Sequence, residues 1–388
     1  MMNGKLGGYL VGYGITKTNG KTFEVFLDEP IHNKITKHML NNLLTLDGTD
    51  SLAQNLSDVQ SMWVSGGSSS RSGVINYAAY GDGTGETDVD DTDLHNRRSE
   101  YTSTKKTGGY YCTRKFDNAN KKLSIRVSYQ FNAASDAVSI KELGVFNKYE
   151  SSGTYALSAR VVLDNAIDIN TGDVFFFTYQ LDIYFEQVGV ITNFGNSGYD
   201  LRYVVNQRPQ NNPTSWTIDA YNDSFPTLRN GVGNFINGGY VGSGRGVNAK
   251  VPIYGINVSI PNSNNVGVVG KVIVPLTSAF TFPAGGFTSD VTVNGTETAS
   301  SYYLLVDANV SHYTPDSFYR TVTIDCTNLW ADNADVYGFM WNGIVAQFGH
   351  YDGDTFTPDF IHKDTNKTWR FTFRQSWSTD YLQPNYSV

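Results

Sequence analysis

Charge is scarce in this chain. Only 17% of its residues are Asp, Glu, Lys or Arg, well below the usual quarter. The surface must therefore rely on Asn, Ser, Thr, Gly and Tyr, or be hidden against neighbours. Positive charge is scarcer still: the net charge is −8, and basic residues cluster only as Arg97-Arg98, Lys105-Lys106 and Lys121-Lys122. Phosphate contacts need clustered Lys and Arg, so nucleic-acid binding is not expected. The pairs read as solvated strand ends.

Cysteine is nearly missing. Cys112 and Cys326 lie far apart and cannot make a disulfide framework; they read as small buried thiols made in a reducing compartment. No apolar run reaches about eighteen residues, so no transmembrane helix and no membrane insertion are expected. The opening MMNGKLGGYLVGYG lacks a basic region followed by a sustained apolar run, so no secretory signal is expected. Motifs such as Asn257-Val258-Ser259 then read as chance glycosylation matches. No internal repeat of fixed period is visible, which argues against a β-helix or fibre shaft.

Aromatic residues are plentiful at 14%, with 25 Tyr and 22 Phe. Many Tyr and few Lys favour strands, interfaces and sugar-binding surfaces alike. Gly8–Tyr13 and Thr22–Leu27 read as short strands. Ile31, Ile35, Met39, Leu43 and Leu46 fall at helical spacing, predicting one amphipathic helix over about 33–46, stopped by Asp47-Gly48. Residues 54–72, with a Gly/Ser tract, read as a flexible loop.

From Gly73 the period becomes two. Val74 to Tyr80 reads as a strand; Leu123 to Phe131 and Phe175 to Phe185 place apolar residues at alternate positions, as half-buried antiparallel strands do. Thr171-Gly172 marks a turn before the last of them. Beyond Phe185, Lys falls to Lys250, Lys271, Lys363 and Lys367, while Asn and Gly rise. Ile253–Ile260, Val266–Val274, Ser301–Val306, Phe318–Ile324 and Thr368–Phe373 read as strands. The fold class expected is mainly β: two antiparallel β-sandwich-like domains, 1–187 and 188–388, with one N-terminal amphipathic helix.

One stretch invites a chemical reading: AYGDGTGETDVDDTDL, residues 79–94. A calcium loop needs Asp at positions one, three and five, Gly at six and Glu at twelve. Counting from Asp82 places Thr84 at three and Thr87 at six; counting from Asp88 places Asp93 at six. Neither register fits, so no metal is expected. Alternating Gly81, Gly83 and Gly85 lack the spacing and the Lys of a nucleotide loop, and the surrounding acids would repel phosphate. What remains is a turn in which Asp90-Asp91-Thr92-Asp93-Leu94 caps free N–H groups as a short helical start. Its carboxylates are expected to be solvated or to face a partner's basic groups.

The order around it carries more. Tyr77-Ala78-Ala79-Tyr80-Gly81-Asp82-Gly83-Thr84-Gly85 is followed by an acidic spacer, then Asp91-Thr92-Asp93-Leu94, then Arg97-Arg98-Ser99-Glu100. Further on come Phe131-Asn132-Ala133-Ala134, Ile140-Lys141-Glu142-Leu143-Gly144-Val145-Phe146, Ala156–Leu163 and the alternating strand Val174–Phe185. This sequence of segments, with the preceding Lys37–Leu44, resembles a recurrent pattern in bacteriophage virion proteins over about residues 31–187. The resemblance implies a non-enzymatic tail, collar or fibre-attachment component whose β-sandwich docks onto the particle. The chain would fold in the host cytoplasm and be built into the virion as a symmetric oligomer with other virion proteins. It implies assembly or docking roles for Tyr80, Gly81, Gly83, Thr84, Asp91, Leu94, Glu142, Leu143, Gly144, Phe146 and Arg160. The chain departs from the pattern in its long 54–72 connector and its extra N-terminal strands.

No catalytic set is expected. There is no Gly-x-Ser-x-Gly elbow and no His-Glu-x-x-His. Ser103-Thr104-Lys105-Lys106 and Lys106-Thr107-Gly108 share one Lys and lack the Ser-Asp-Asn that a β-lactamase site needs. His312, His350 and His362, with Asp352-Gly353-Asp354, read as polar loop residues, and no cofactor is expected. Trp216, Tyr221, Trp330, Tyr337, Trp341, Tyr351, Trp369 and Trp377 lie among Asn and Asp. They suit core packing, subunit interfaces or a host surface polysaccharide. A receptor-binding protein is the alternative reading, and a polysaccharide depolymerase a third.

Overall fold

The computed structural model describes residues 2–44, 75–103, 112–117, 119–120, 122–148, 153–185, 188–205, 217–218, 256–257, 271–275, 291–292, 303–310, 314–325, 333–341, 344–364 and 370–385. The protein is mainly β, with antiparallel sheets. Its N-terminal half comprises β1 (Met2–Thr16), β2 (Thr22–Ile35), helix α1 (Lys37–Leu44), β3 (Tyr77–Gly81), β4 (Thr102–Ser103), β5 (Cys112–Asp117), β6 (Lys122–Ala133), β7 (Val138–Lys148), β8 (Tyr155–Ile169) and β9 (Val174–Phe185).

Every pairing among these strands is antiparallel, and the neighbour order is β5-β6-β9-β1-β2-β8-β7-β3-β4. The row curls until its far end returns to β6, where the Thr102 hydroxyl donates to the Gln130 carbonyl at 2.8 Å. The sheet is thereby nearly closed, and few edges stay open. Its inside is filled as the alternation predicts: Phe175, Phe177, Tyr179, Leu181 and Ile183 of β9 are buried, with Ile125, Val127, Tyr129 and Phe131 of β6. Tyr80 meets Phe131 and Phe175 edge-on, with centroids 4.8 and 5.6 Å apart, the geometry that ring quadrupoles favour.

The expected helix start is corrected. Asn33, Lys34 and Ile35 belong to β2, where Lys34 and Ile35 pair with Arg160 and Ala159 of β8. The helix begins at Lys37. Thr36 sets the boundary: its N–H donates to Ser158 and its hydroxyl to the Leu157 carbonyl, while the hydroxyl oxygen accepts from Met39 N–H as an N-cap does. Asp90 to Leu94 likewise forms no helix but a turn at 89–90 and a second at 95–96. The 54–72 connector and the Asp47-Gly48 stop lie outside the described residues.

Past Phe185 come β10 (Val188–Ile191) and β11 (Asp200–Val205), which pair with each other. Strand β11 also pairs with Ile344–Tyr351, which in turn pairs with Gly338–Trp341 and Phe356–Pro358. Tyr319–Asp325 pairs with Arg370–Ser378. The last of these strands runs parallel to the start of β1, Met2 to Lys5 beside Gln375 to Ser378. One hydrogen-bonded network therefore crosses the expected boundary at 187/188. Gly4 lies beside Trp377 there, and a Cβ at Gly4 would lie 2.5 Å from the fully buried indole ring. The glycine is what lets the ring lie flat against β1. Among the described residues no helix is long and apolar enough to cross a membrane.

Candidate functional site: a buried ion pair inside the acidic loop

Strand β7 places Gly144 beside Arg160 of β8, with Glu142 beside Val162. Residues two apart on a strand share a face, so Glu142 and Arg160 meet on one side of the sheet. Both side chains are completely buried. The Arg160 Nε donates to Glu142 Oε2 at 2.8 Å, and Nη2 lies 2.8 Å from the same oxygen.

The loop after β3 closes over this pair. Glu142 Oε1 accepts from Gly83 N–H at 3.2 Å and Asn96 N–H at 2.7 Å, and Oε2 accepts from His95 N–H at 3.0 Å. From the other side Arg160 Nη2 donates to the Gly85 carbonyl, and Nη1 to the Glu86 carbonyl and to Asp91 Oδ2, at 3.0–3.1 Å. His95 Nε2 lies 3.2 Å from Nη1 and 3.3 Å from Asp91 Oδ1. Two charges taken out of water are costly unless every donor and lone pair finds a partner, and here the loop backbone supplies those partners.

This arrangement explains the alternating glycines. A Cβ on Gly81 or Gly83 would lie 2.5 Å from Glu142 Oε1, and one on Gly85 would collide with the His95 ring. The backbone comes this close to a carboxylate only where side chains are absent.

It also refines the expectation for the acidic residues, of which Glu86, Asp88 and Asp90 are exposed to solvent. Asp82 accepts from Asn96 Nδ2 and pairs with Arg98 at 3.1 Å. Asp88 accepts from Asp90 N–H, Asp90 pairs with Lys37 at 2.7 Å, and Asp93 accepts from the Tyr101 hydroxyl. Asp91 holds Arg160. Among the described residues, five of these six carboxylates, those of Asp82, Asp88, Asp90, Asp91 and Asp93, meet groups of the same chain. Burial raises the Asp91 pKa, but the Asp88 N–H and the Arg160 and His95 contacts outweigh it, and the carboxyl sits below the ordinary aspartate value. Burial and then the Asp93 charge push the Tyr101 phenol up to about 12.

The resembling residues thus converge. Gly81, Gly83, Asp91, Glu142 and Arg160 form a buckle that fastens the loop to the sheet, whereas the Tyr80 ring points to the main core. Leu94, Phe146 and Leu157 form a small apolar cluster beneath it with Ala79. Gly144 lies against Phe146, Leu157 and Leu94, and Leu143 points to the main core. Thr84 is exposed and engages none of the charged groups described. His95 and Asn96, which donate the two shortest backbone bonds to Glu142, were not singled out from sequence. Their position directly after Asp93-Leu94 is the only signal they carry.

The aromatic set does not converge among the described residues. Trp377 is a core residue and Tyr351 is partly exposed. Trp341 ends a strand, and Trp216, Tyr221, Trp330 and Trp369 lie outside the described residues. His350 pairs with Asp359 at 3.2 Å and His362 with Asp335 at 2.7 Å, as two separate exposed pairs. Asp352 closes a turn by accepting from Thr355 N–H. Among the described residues no group of three or more His, Cys, Asp or Glu is placed to hold a metal ion.

Comparison of the chain with protein-family models, curated proteins and solved structures gives no match.

Proposed function

We propose that this chain is a non-enzymatic structural protein of a bacteriophage virion, part of the tail, collar or fibre-attachment apparatus, and that it assembles as a symmetric oligomer. One observation carries the reading. The segments that resemble virion proteins lie up to about eighty residues apart, yet the Gly-x-Gly-Thr turn, the Asp-Thr-Asp-Leu element, the Ile-x-Glu-Leu-Gly segment and the Arg strand form one folded unit around Glu142 and Arg160. These segments meet in one folded unit, which supports reading the resemblance as a unit rather than as scattered strings. Every polar group at the centre of that unit is engaged in holding the loop to the sheet, which is a structural role.

Particles purified from the phage that encodes this chain test the proposal. Antibodies raised against the folded chain are expected to label particles at one discrete location, in a fixed copy number by quantitative mass spectrometry. A chain found only in the lysate, with none in gradient-purified particles, overturns it.

A further inference from the structure

Six Asn-Gly steps occur in the sequence, and two of them, Asn3-Gly4 and Asn19-Gly20, lie among the described residues. The step is chemically special. The backbone nitrogen that follows an Asn can attack the carbon of the side-chain amide, and a glycine there has no Cβ to hinder the approach or restrict the rotation it needs. The two steps share this local chemistry and have opposite surroundings.

Asn19-Gly20 forms the tip of the β1–β2 hairpin. Gly20 N–H donates to the Lys17 carbonyl and Lys17 N–H to the Lys21 carbonyl, both at 2.8 Å, with Gly20 at φ +82°. This is a turn closed by a left-handed glycine. Residues 18–21 are exposed, and a Cβ on Gly20 would meet nothing within 4 Å among the described residues. Asn19 Oδ1 accepts from Lys21 N–H at 3.0 Å, so a donor already faces the oxygen that takes up charge when the amide carbon is attacked. The Gly20 nitrogen is freed by opening its one bond to Lys17, at a solvated tip where local opening costs least.

Asn3-Gly4 lies inside the sheet. Gly4 is buried, beside Phe185 of β9 on one edge and Trp377 of the C-terminal strand on the other. The same attack there requires parting a strand from its two neighbours, which belongs to the costly end of the opening scale.

We infer that Asn19-Gly20 is a self-modification site of the folded chain, at which Asn19 is converted to Asp and isoaspartate while the sheet protects Asn3. The Gly20 nitrogen gives up its proton to a solvent base and bonds to Asn19 Cγ. The Cγ–Nδ2 bond breaks, and the leaving nitrogen takes a proton and departs as ammonia. Water then opens the cyclic imide at either carbonyl. One water is consumed and one ammonia released, and nothing is oxidised or reduced. Either product sets a carboxylate close to Lys17, which Asp173 holds at 2.7 Å, and isoaspartate also lengthens the backbone within the turn. The change falls where this turn abuts the one before β9, since a Cβ on Gly172 would lie 2.6 Å from the Thr18 methyl.

The full-length chain is incubated at mildly alkaline pH, once in native buffer and once in urea, and peptides holding each step are mapped over time. Conversion is read as a gain of about 1 Da, with isoaspartate resolved by its elution. Unfolded in urea, the two steps are expected to convert at similar rates. In native buffer Asn3 should fall at least about tenfold behind Asn19. Asn19→Gln should abolish the gain at position 19, because the longer side chain must close a larger and slower-forming ring. Rates that stay equal in native buffer, whether both fast or both slow, overturn the inference, as does a gain at that position that Asn19→Gln leaves intact.

Discussion

Two places in the N-terminal half break the rule of apolar inside and polar outside, in opposite senses. Beneath the loop 81–96, a carboxylate and a guanidinium are wholly buried. At the end of the β1–β2 hairpin, two phenylalanines and a valine stand in solvent. The buried charges are complete: backbone N–H groups and carbonyls from five loop residues surround them. The exposed apolar stretch of the hairpin is paired with β1, while its side chains face solvent. The difference separates what holds the chain together from what it offers to others. A polar cluster that satisfies itself needs nothing from outside, whereas an apolar edge lowers its free energy only by gaining a partner.

The largest effect that would break this comparison is removal of one buried charge. Arg160→Ala leaves Glu142 uncompensated and the Gly85 and Glu86 carbonyls without donors, at a cost of about 3–5 kcal/mol. Urea unfolding should show the loss as a lower midpoint with an unchanged slope. Arg160→Lys should recover only part of it, since an ammonium is a point charge that cannot span acceptors set around a planar fork. A variant that unfolds like the parent would mean the ion pair is incidental to the loop.

A smaller effect is expected at Gly83→Ala. The added methyl falls 2.5 Å from Glu142 Oε1, so loop or carboxylate must shift, costing about 1–3 kcal/mol. Amide exchange should locate the damage at the N–H groups of Gly83, His95 and Asn96, with the β1–β2 hairpin unchanged. Exchange that rises equally in both places would show that the two regions are coupled.

Much of the fold was legible in the sequence because period two is a local signal. The alternation of Phe175, Phe177, Tyr179, Leu181, Ile183 and Phe185 predicts the strand Val174–Phe185 with the bounds it has. The helix start differs from the expected one for an equally local reason. Ile31 and Ile35 lie four apart, and residues four apart share a face in a strand as well as in a helix. The spacing fits both, and only the Thr36 contacts with β8 decide between them. The glycines and acids of the loop were visible as a pattern, but their meaning depends on Glu142 and Arg160. That pair is eighteen residues apart and joined only by the β7–β8 register. A lone Glu in Ile140–Phe146 and a lone Arg in Ala156–Leu163, each inside an apolar strand, were the available signal. The hairpin edge left another: Phe23, Val25 and Phe26 are apolar on both faces of one short strand, where a half-buried strand alternates.

Acid should weaken the buckle through Asp91. Asp91 has its folded pKa below the ordinary value of 3.8. A lowered folded pKa gives stability that is fully present above the unfolded value and lost as pH falls through the folded one. The expected loss therefore begins as pH drops below 3.8. Asp91→Asn should flatten that part of the stability profile without flattening all of it, because Asp117, Asp173 and Asp200 are also held low by their hydrogen bonds. A profile unchanged by the substitution would remove Asp91 from the charge balance of the site.

The smallest effect on folding sharpens the comparison most. Phe26 is 72% exposed, so replacing it with Thr, which also favours strands, removes little buried area. The unfolding free energy of the isolated chain should change by no more than about 0.5 kcal/mol. Binding of a hydrophobic dye by the folded chain should nevertheless fall, because Phe26 contributes much of the exposed apolar surface of the hairpin. A core residue behaves the other way: Phe177→Ala would cost about 3–5 kcal/mol and change dye binding only through unfolding. If Phe26→Thr destabilises the monomer as a core truncation does, the hairpin edge is already covered within the chain. Its apolar residues would then serve the chain's own stability, as the buried ion pair does, and the contrast between the two regions would disappear.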